Sequence, residues 1–170
     1  EMDLQNYVDY QFFQIYFANN DNGNIRFWRD ASPQGKWRWI LYDTDWGLHD
    51  ATHRTLKHVT NPNGTGAMDA FSTTIWNRLV TNPQFVKLFL QRAAYHLNNT
   101  FHTQRFLAEI DRLSQQYAPE IERDRVRWKQ KKGRWEEQLA FIRKFATVRS
   151  RYVRKEIRSH FSLSNADMDA

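Results

Sequence analysis

The first pattern in the chain is a helical one. Over residues 3–18, apolar side chains recur every three to four positions, which places them on one face of a helix. Asp3 is suited to cap the first turn, because its side-chain oxygen can accept a hydrogen bond from a free helical amide. The helix is predicted to end at the polar stretch 19–24, since Asn and Asp side chains compete with helical hydrogen bonds and favour turns.

A period-two pattern follows this helix. In residues 25–29 and 37–42, large aromatic or aliphatic side chains recur at every second position. A Ser-Pro-Gln-Gly turn at 32–35 separates the two segments. This combination predicts an antiparallel β-hairpin. Four tryptophans of this region are expected to pack in the sheet or the core, with a platform for a sugar or a base as the alternative. They are Trp28, Trp37, Trp39 and Trp46.

The remainder of the chain is predicted to be helical after one polar loop. Residues 48–69 are polar and contain Gly and Pro, which indicates a surface loop. Helical spacing then predicts helices over 71–80, 83–97, 103–128 and 135–145, and a last helix that starts at Thr147 and reaches Phe161. The fold class is therefore mainly α (α+β): an antiparallel β-hairpin near the N-terminus followed by about five helices. Residues 1–161 are expected to form a single domain, and residues 162–170 a frayed tail.

Composition narrows the range of possible functions. An aromatic fraction of 15% in 170 residues excludes disorder for most of the chain, and the lack of cysteine excludes disulfides, thiolate metal sites and cysteine nucleophiles. No apolar run is long enough for a membrane span. The net charge of +6 resides in the C-terminal third, where residues 101–161 contain sixteen Lys and Arg against eight Asp and Glu. The densest basic run, residues 123–134, has acidic neighbours, which favours a solvated helix face, and no nucleic-acid motif accompanies it, so no nucleic-acid partner is predicted.

Candidate chemistry lies at the two feet of the predicted hairpin. Asp21 and Asn24 precede the first strand, whereas Asp43 and Asp45 follow the second. Because a hairpin brings these ends together, three carboxylates and an amide oxygen should lie close to one another, and hard cations such as Mg²⁺ prefer these ligands. The alternative is that all four are turn or capping residues. Without a cation, a nearby arginine, either Arg26 or Arg38, would be expected to neutralise the cluster.

Several segments resemble a known family. Protein kinases place an Asp and a following Asn after a helix, and a hairpin then leads to an Asp-Phe-Gly loop that holds Mg²⁺; here Asp45-Trp46-Gly47 has the Asp-aromatic-Gly form. More specifically, the chain resembles the CotH family of atypical protein kinases, named for the spore coat protein H. The segments that carry the resemblance are FANND at 17–21, NIRFWR at 24–29, GKWRWILYDTDWG at 35–47, NPQF at 82–85, LNNTF at 97–101 and YVR at 152–154.

The resemblance implies a fold, an activity and a set of roles. It implies a kinase-like C-terminal lobe that transfers the γ-phosphoryl group of ATP, with Mg²⁺ or Mn²⁺, to Ser or Thr of a partner protein such as a coat or surface protein. Asp21 would be the catalytic residue that orients the acceptor hydroxyl. Asp45 would bind Mg²⁺, with Asp43 as a second candidate for the same ion, and Asn24 would hold a second Mg²⁺. Localisation would be the spore coat, or secreted and on the cell surface.

Two departures from the family pattern lead to further expectations. Where the family usually has Asp-Trp-Pro-Gly-Asn-Asn, this chain has the shorter Asp21-Asn22-Gly23-Asn24. The family's N-terminal lobe, which supplies a nucleotide-binding Lys and its partner Glu, is not contained in these residues. The chain is therefore expected to be part of a longer protein and to bind ATP very weakly in isolation. The alternative function is a catalytically inactive module that docks a coat or surface protein through its basic C-terminal helices.

Overall fold

A computed structural model describes residues 1–19, 21, 24–64 and 70–164, with the side chains of residues 70–72 excepted. The mainly helical fold with one antiparallel hairpin near the N-terminus is confirmed, and five α-helices follow the hairpin within this part of the chain. The elements are α1 (Leu4–Phe17), β1 (Arg26–Trp28), β2 (Arg38–Ile40), α2 (Thr55–Val59), α3 (Ala70–Leu79), α4 (Pro83–Tyr95), a π-helical turn (His96–Thr100), α5 (Thr103–Arg127) and α6 (Arg134–His160).

Helix α1 lies at the centre of the core. It begins as the sequence predicts, because Asp3 accepts a hydrogen bond from the amide of Asn6 at 3.1 Å. Its apolar face packs against α2, α4, α6 and strand β2. Phe12 on this face is fully buried, and truncating such a ring to Ala would cost about 3–5 kcal/mol. The other rings of this core include Tyr7, Tyr16, Trp76, Phe85, Phe89, Phe101 and Phe145.

Strand β2 attaches the hairpin to α1, and Trp37 just before this strand pairs with Met2 of the N-terminal segment. Phe27 pairs with Trp39 in the antiparallel register. The side chain of Asn6 on α1 accepts a hydrogen bond from the Trp39 amide at 2.6 Å, and the Tyr7 and Trp39 rings meet edge to face at 4.7 Å. Since both strands are only three residues long, the hairpin is shorter than the alternation predicts, and its position depends on this contact with α1.

The expectation that all four tryptophans pack in the sheet or the core is wrong for three of them. Only Trp39 is packed against the core. Trp28, Trp37 and Trp46 are 47%, 40% and 59% exposed. The physical reason is that nothing in the described residues covers the outer face of the hairpin, so alternation along its strands does not separate a buried side from a wet one.

The predicted loop 48–69 contains an element that its polar composition hides. Residues 55–59 form α2, and Thr55, Leu56 and Val59 are buried against the core. A five-residue helix is too short to show helical periodicity in the sequence. Residues 65–69 of the predicted loop lie outside the described residues, as do residues 165–170 of the predicted tail.

The break predicted before Thr147 does not exist. Helix α6 runs unbroken over 27 residues, and the Thr147 hydroxyl donates to the carbonyl of Arg143 at 2.8 Å inside it. A threonine can satisfy its hydroxyl by bonding back to the preceding turn, so its presence does not require a helix start. Helix α5 likewise continues through Pro119. None of the described helices is both long and apolar enough to cross a lipid bilayer.

A polar cluster joins α1 to α4 beside the core. Arg92 binds the Asp9 carboxylate with two hydrogen bonds of 2.7 and 2.8 Å, and the buried His96 contacts the same carboxylate at 3.0 Å. Desolvation lowers the pKa of His96, although Asp9 acts in the opposite direction. The other ring nitrogen of His96 contacts the Thr100 hydroxyl at 2.9 Å, so the π-helical turn leaves no unsatisfied imidazole nitrogen.

Candidate functional site

The loop that follows α1 is fixed by a buried amide. Ala18 ends the helix in the left-handed conformation, with φ of 56°, and Asn19 next to it is 1% exposed. The Asn19 side chain donates to the Gln14 side chain at 2.8 Å and accepts from the amide of Asp21 at 3.1 Å. The start of the predicted catalytic loop is therefore held to the last turns of α1. The sequence assigned Asn19 only to a turn, and its burial was not visible there.

The four predicted site residues lie together at the feet of the hairpin. The Asn24 side-chain nitrogen donates to an oxygen of Asp21 at 2.9 Å and to an oxygen of Asp43 at 3.2 Å. Asp45 is near enough to Asp43 to raise the pKa of the Asp43 carboxyl. Asp21 is half-buried, whereas the other three are exposed. Asn22 and Gly23 lie outside the described residues.

The carboxylates of this cluster are not neutralised by a protein cation. Among the described residues, no Lys or Arg forms an ion pair with Asp21, Asp43 or Asp45. Of the two expected means of neutralisation, a cation or a nearby arginine, the second is not found at Arg26 or Arg38: Arg38 pairs with Asp3 at 3.1 Å, and the Arg26 guanidinium lies 5.8 Å from the centre of the Tyr42 ring. Both side chains therefore have other partners than the carboxylates at the feet of the hairpin.

Asp43 carries two signs of strain. Partial desolvation raises the pKa of its carboxyl, and the hydrogen bond and negative charge of Asp45 and the charge of Asp21 raise that pKa further. Its backbone is in the left-handed region at φ 53°, which is uncommon for a residue other than glycine. Strained residues of this kind cluster at functional sites, so Asp43 is a stronger metal candidate than its sequence position suggests.

The donor set fits a Mg²⁺ ion that arrives with phosphate, but not a closed protein cage. Mg²⁺ usually takes one or two carboxylates and completes its shell with water and substrate phosphates. Asp43 and Asp45 supply two carboxylates, and a bound cation would relieve the repulsion that raises the Asp43 pKa. Within the part of the chain that the structure describes, no three His, Cys, Asp or Glu side chains converge as a ready metal site.

Gly47 allows the loop after β2 to approach the end of α1. Leu48 donates from its amide to the carbonyl of Phe17 at 2.6 Å. A side chain at Gly47 would meet the carbonyl oxygens of Thr44 and Phe17 at 2.9 and 3.0 Å, which is closer than real Cβ contacts. The glycine of the Asp-aromatic-Gly segment is therefore required by backbone packing, which holds the Asp43–Asp45 loop beside the loop that carries Asp21.

A buried arginine joins the end of α1 to the segment that precedes α2. Arg149 of α6 is fully buried and donates to the carbonyls of Tyr16 and Ile15 at the end of α1, the first at 2.8 Å. It also donates to the carbonyls of Ala51 and His53 at 2.8 and 2.9 Å. Desolvation lowers the pKa of Arg149 to about 10, which still leaves it charged at neutral pH. Sequence analysis missed this residue, because Arg149 stands among other basic residues whose side chains are exposed.

The β-hairpin also carries exposed aromatic side chains. Phe27 is 55% exposed and contacts Trp37 edge to face at 5.4 Å, and the Arg29 guanidinium lies over the Trp37 ring at 5.3 Å. A cavity of about 500 Å³ between the N-terminal segment and the hairpin contains none of the four site residues. The candidate site residues therefore lie at an open surface rather than in this cavity.

The order of these parts defines a class of protein. A helix, a loop with Asp and Asn, a hairpin and then a loop with Asp and Gly are the arrangement of the C-terminal lobe of a protein kinase, and here the two loops share hydrogen bonds. The sequence agrees with this class: the family model described as CotH kinase protein matches residues 1–153. The chain belongs to the CotH kinase family. Neither the curated proteins nor the solved structures that were searched gave a significant match.

Proposed function

We propose that this chain supplies the metal-binding and acceptor-binding part of a protein kinase. The enzyme would transfer the γ-phosphoryl group of ATP to a Ser or Thr hydroxyl of a partner protein of the coat or cell surface. The observation that supports this function best is the hydrogen bonding of Asn24 to both Asp21 and Asp43, since it joins the two loops that phosphoryl transfer requires. The family match supports the kinase class.

Each residue has a distinct task in this proposal. Asp21 orients the acceptor hydroxyl and accepts its hydrogen bond while the hydroxyl oxygen bonds to the γ-phosphorus and the bond to the β-phosphate oxygen breaks. The proton leaves through Asp21 or solvent, and ADP is the second product. Asp45 and Asp43 hold Mg²⁺ and Asn24 a second Mg²⁺; when bound, Mg²⁺ neutralises the charge on the phosphates. Asn19 holds the loop with Asp21, and Arg149 holds the end of α1 from which that loop leaves.

The proposal can be tested with a paramagnetic ion. Mn²⁺ and ATP at millimolar concentration should selectively broaden the amide NMR signals of the Asp21–Asn24 and Asp43–Asp45 loops of the 170-residue chain. Asp43→Asn and Asp45→Asn should each remove the broadening, because one carboxylate is lost from a pair. Asp50→Asn is the matched control: Asp50 is also exposed, but its carboxylate is bound to Thr52 and lies outside the cluster.

Two results would contradict the metal assignment. One is broadening spread over all exposed acidic residues, and the other is broadening that survives both Asp43→Asn and Asp45→Asn. A signal that depends on both residues would be followed by an assay for transfer of labelled γ-phosphate to Ser or Thr. Loss of transfer in Asp21→Asn, with metal broadening retained, would assign Asp21 to the acceptor.

A second candidate function is a binding module without phosphotransfer. It is favoured by the Asn24 amide group, whose nitrogen already donates to Asp43, one of the two carboxylates proposed to hold a cation. Such a module would dock a coat or surface protein through the basic C-terminal helices. It predicts neither site-specific Mn²⁺ broadening nor transfer, together with partner binding that survives Asp45→Asn.

A further inference from the structure

Helices α5 and α6 form a hairpin that leaves the body of the protein. Phe106 on α5 and Phe145 on α6 are the outermost residues of the pair that contact the buried apolar cluster. The helical residues beyond them are mostly exposed as far as the connection at 128–133. From Asp111 to Arg127 the rise of 1.5 Å per residue carries the end of the hairpin about 25 Å outward.

The end of this helical hairpin carries a dense group of basic residues. Residues 123–134, called here the basic tip, contain seven basic residues and one acidic residue. This gives a net charge of +6, equal to that of the whole chain. The projecting end of the helical hairpin therefore carries a local attraction for an anionic surface.

Acidic neighbours neutralise only part of the basic tip. Arg125 pairs closely with Glu122 at 2.6 Å, while Arg123–Glu120 and Lys131–Glu137 are long contacts of 3.5 and 3.9 Å. Among the described residues, the other basic side chains of the tip form no ion pair with a carboxylate. They are Arg127, Lys129, Lys132 and Arg134.

Two large apolar side chains accompany these charges. Val126 is 62% exposed and Trp128 is 63% exposed, the highest values among the exposed large apolar side chains of the described residues. The Arg127 guanidinium lies 5.4 Å from the centre of the Trp128 ring, which leaves an amphipathic pair at the helix end. Neither residue belongs to the core cluster, so folding alone gives no reason for an indole at this place.

We propose that the basic tip docks the protein onto the surface of an anionic lipid bilayer. Lysine and arginine are attracted to anionic headgroups, and indole rings partition to the boundary between headgroups and acyl chains. A nucleic acid would accept the charges and could stack on Trp128, but its phosphates offer no place for the aliphatic Val126. The projecting, convex shape also suits a flat surface better than a strand held in a groove. This proposal does not depend on phosphotransfer at the candidate site of the β-hairpin.

The experiment is cosedimentation of the full 170-residue chain with lipid vesicles. Binding is expected with vesicles of phosphatidylcholine containing about one-third phosphatidylserine, and not with phosphatidylcholine alone, and it should weaken as salt is raised. Lys129→Glu with Lys132→Glu should weaken binding at least tenfold, given roughly fivefold for each basic residue at the surface. Trp128→Ala should weaken it by about tenfold with little change in the salt dependence, because the lost contribution is apolar.

The control variant makes the same change in net charge as the tip variant, but at two lysines outside the basic tip. Lys87→Glu with Lys155→Glu reverses two exposed lysines on α4 and on the body end of α6, and should leave vesicle binding within about twofold. Equal loss in the control and the tip variant would overturn the proposal, because net charge rather than the tip would explain binding. So would an absence of binding to the anionic vesicles, or tip-dependent binding to a single-stranded oligonucleotide without binding to the vesicles.

Discussion

At the scale of single residues, the site is held by side chains that do no chemistry themselves. Arg149 donates to backbone carbonyls at the end of α1 and in the loop before α2, and its charge is balanced in part by Glu156 on the same helix. Five donors in a planar fork suit this arrangement, whereas an ammonium group has the same charge but a different reach and geometry. The position therefore requires arginine rather than any cation.

We expect Arg149→Lys to lower the free energy of unfolding by about 2–4 kcal/mol, because buried carbonyls lose their donors. Arg151→Lys, an exposed neighbour on α6, should change it by less than about 0.5 kcal/mol. Urea titration followed by circular dichroism measures both. Equal midpoints for the two variants would show that the bonds of Arg149 do not stabilise the fold.

Unlike Arg149, Asp43 is expected to lower the stability of the fold at neutral pH while it serves the proposed metal site. Its pKa is raised in the folded state, so the folded protein binds this proton more tightly than the unfolded chain does. Stability from this group is therefore present at low pH and is lost as pH rises through the folded pKa. Asn removes the charge and tolerates the left-handed backbone, so Asp43→Asn should raise stability at pH 7 while it abolishes Mn²⁺ binding.

Asp50→Asn, the control for Asp43→Asn, should instead lower the stability of the protein at pH 7. Hydrogen bonds from Thr52 lower the pKa of Asp50, so its contribution to stability is present above the unfolded pKa and is lost as pH falls through the folded one. Denaturant unfolding at pH 7 and at pH 3 compares the two variants. If Asp43→Asn destabilised the protein at pH 7, the repulsion inferred among the carboxylates would be wrong.

At the scale of elements, the short helix α2 depends on a residue from another helix. Arg54, which precedes it, offers no side-chain cap. Glu156 of α6 accepts a hydrogen bond from the amide of Lys57 at 3.0 Å and so satisfies a donor in the first turn. A helix of five residues is not stable on its own, so α2 is expected to exist only while α6 is in place.

We therefore predict that Glu156→Ala unfolds α2 locally. The change removes the acceptor for Lys57 and part of the compensation for the Arg149 charge, at a cost of about 2–3 kcal/mol. Hydrogen exchange should accelerate at the amides of Leu56 and Lys57 more than in α4. Lys155→Ala, an exposed neighbour on α6, serves as the control. Unchanged exchange at these two amides would contradict the capping role.

The sequence was informative where its signal was local. The N-cap at Asp3, the Asn-Pro start of α4 at Asn82 and the order helix, hairpin, helices could be predicted, because each depends on nearby residues. Pairing of the hairpin feet followed from topology. The bonds of Arg149 and Glu156, and the burial of α2, could not be predicted, since they join residues about a hundred or more positions apart.

At the scale of the whole molecule, the site is open. Asn24, Asp43 and Asp45 are exposed, and among the described residues no Gly-rich segment covers them. Kinases hold nucleotide between a loop and a lysine on one side and metal ligands of this type on the other. We therefore expect isothermal titration of the 170-residue chain with Mg-ATP to give millimolar or weaker affinity. Micromolar affinity would show that these residues contain a complete nucleotide site.

The bonds of Arg149 also have a consequence for biosynthesis. A ribosome releases the N-terminal part of a chain first, so α1 and the loop with Asp21 emerge well before α6. The carbonyls at the end of α1 therefore lack their donor until Arg149 has been synthesised about 130 residues later. The nascent chain should therefore hold the loop with Asp21 loosely until α6 has left the exit tunnel, and the candidate site would become ordered only after that point.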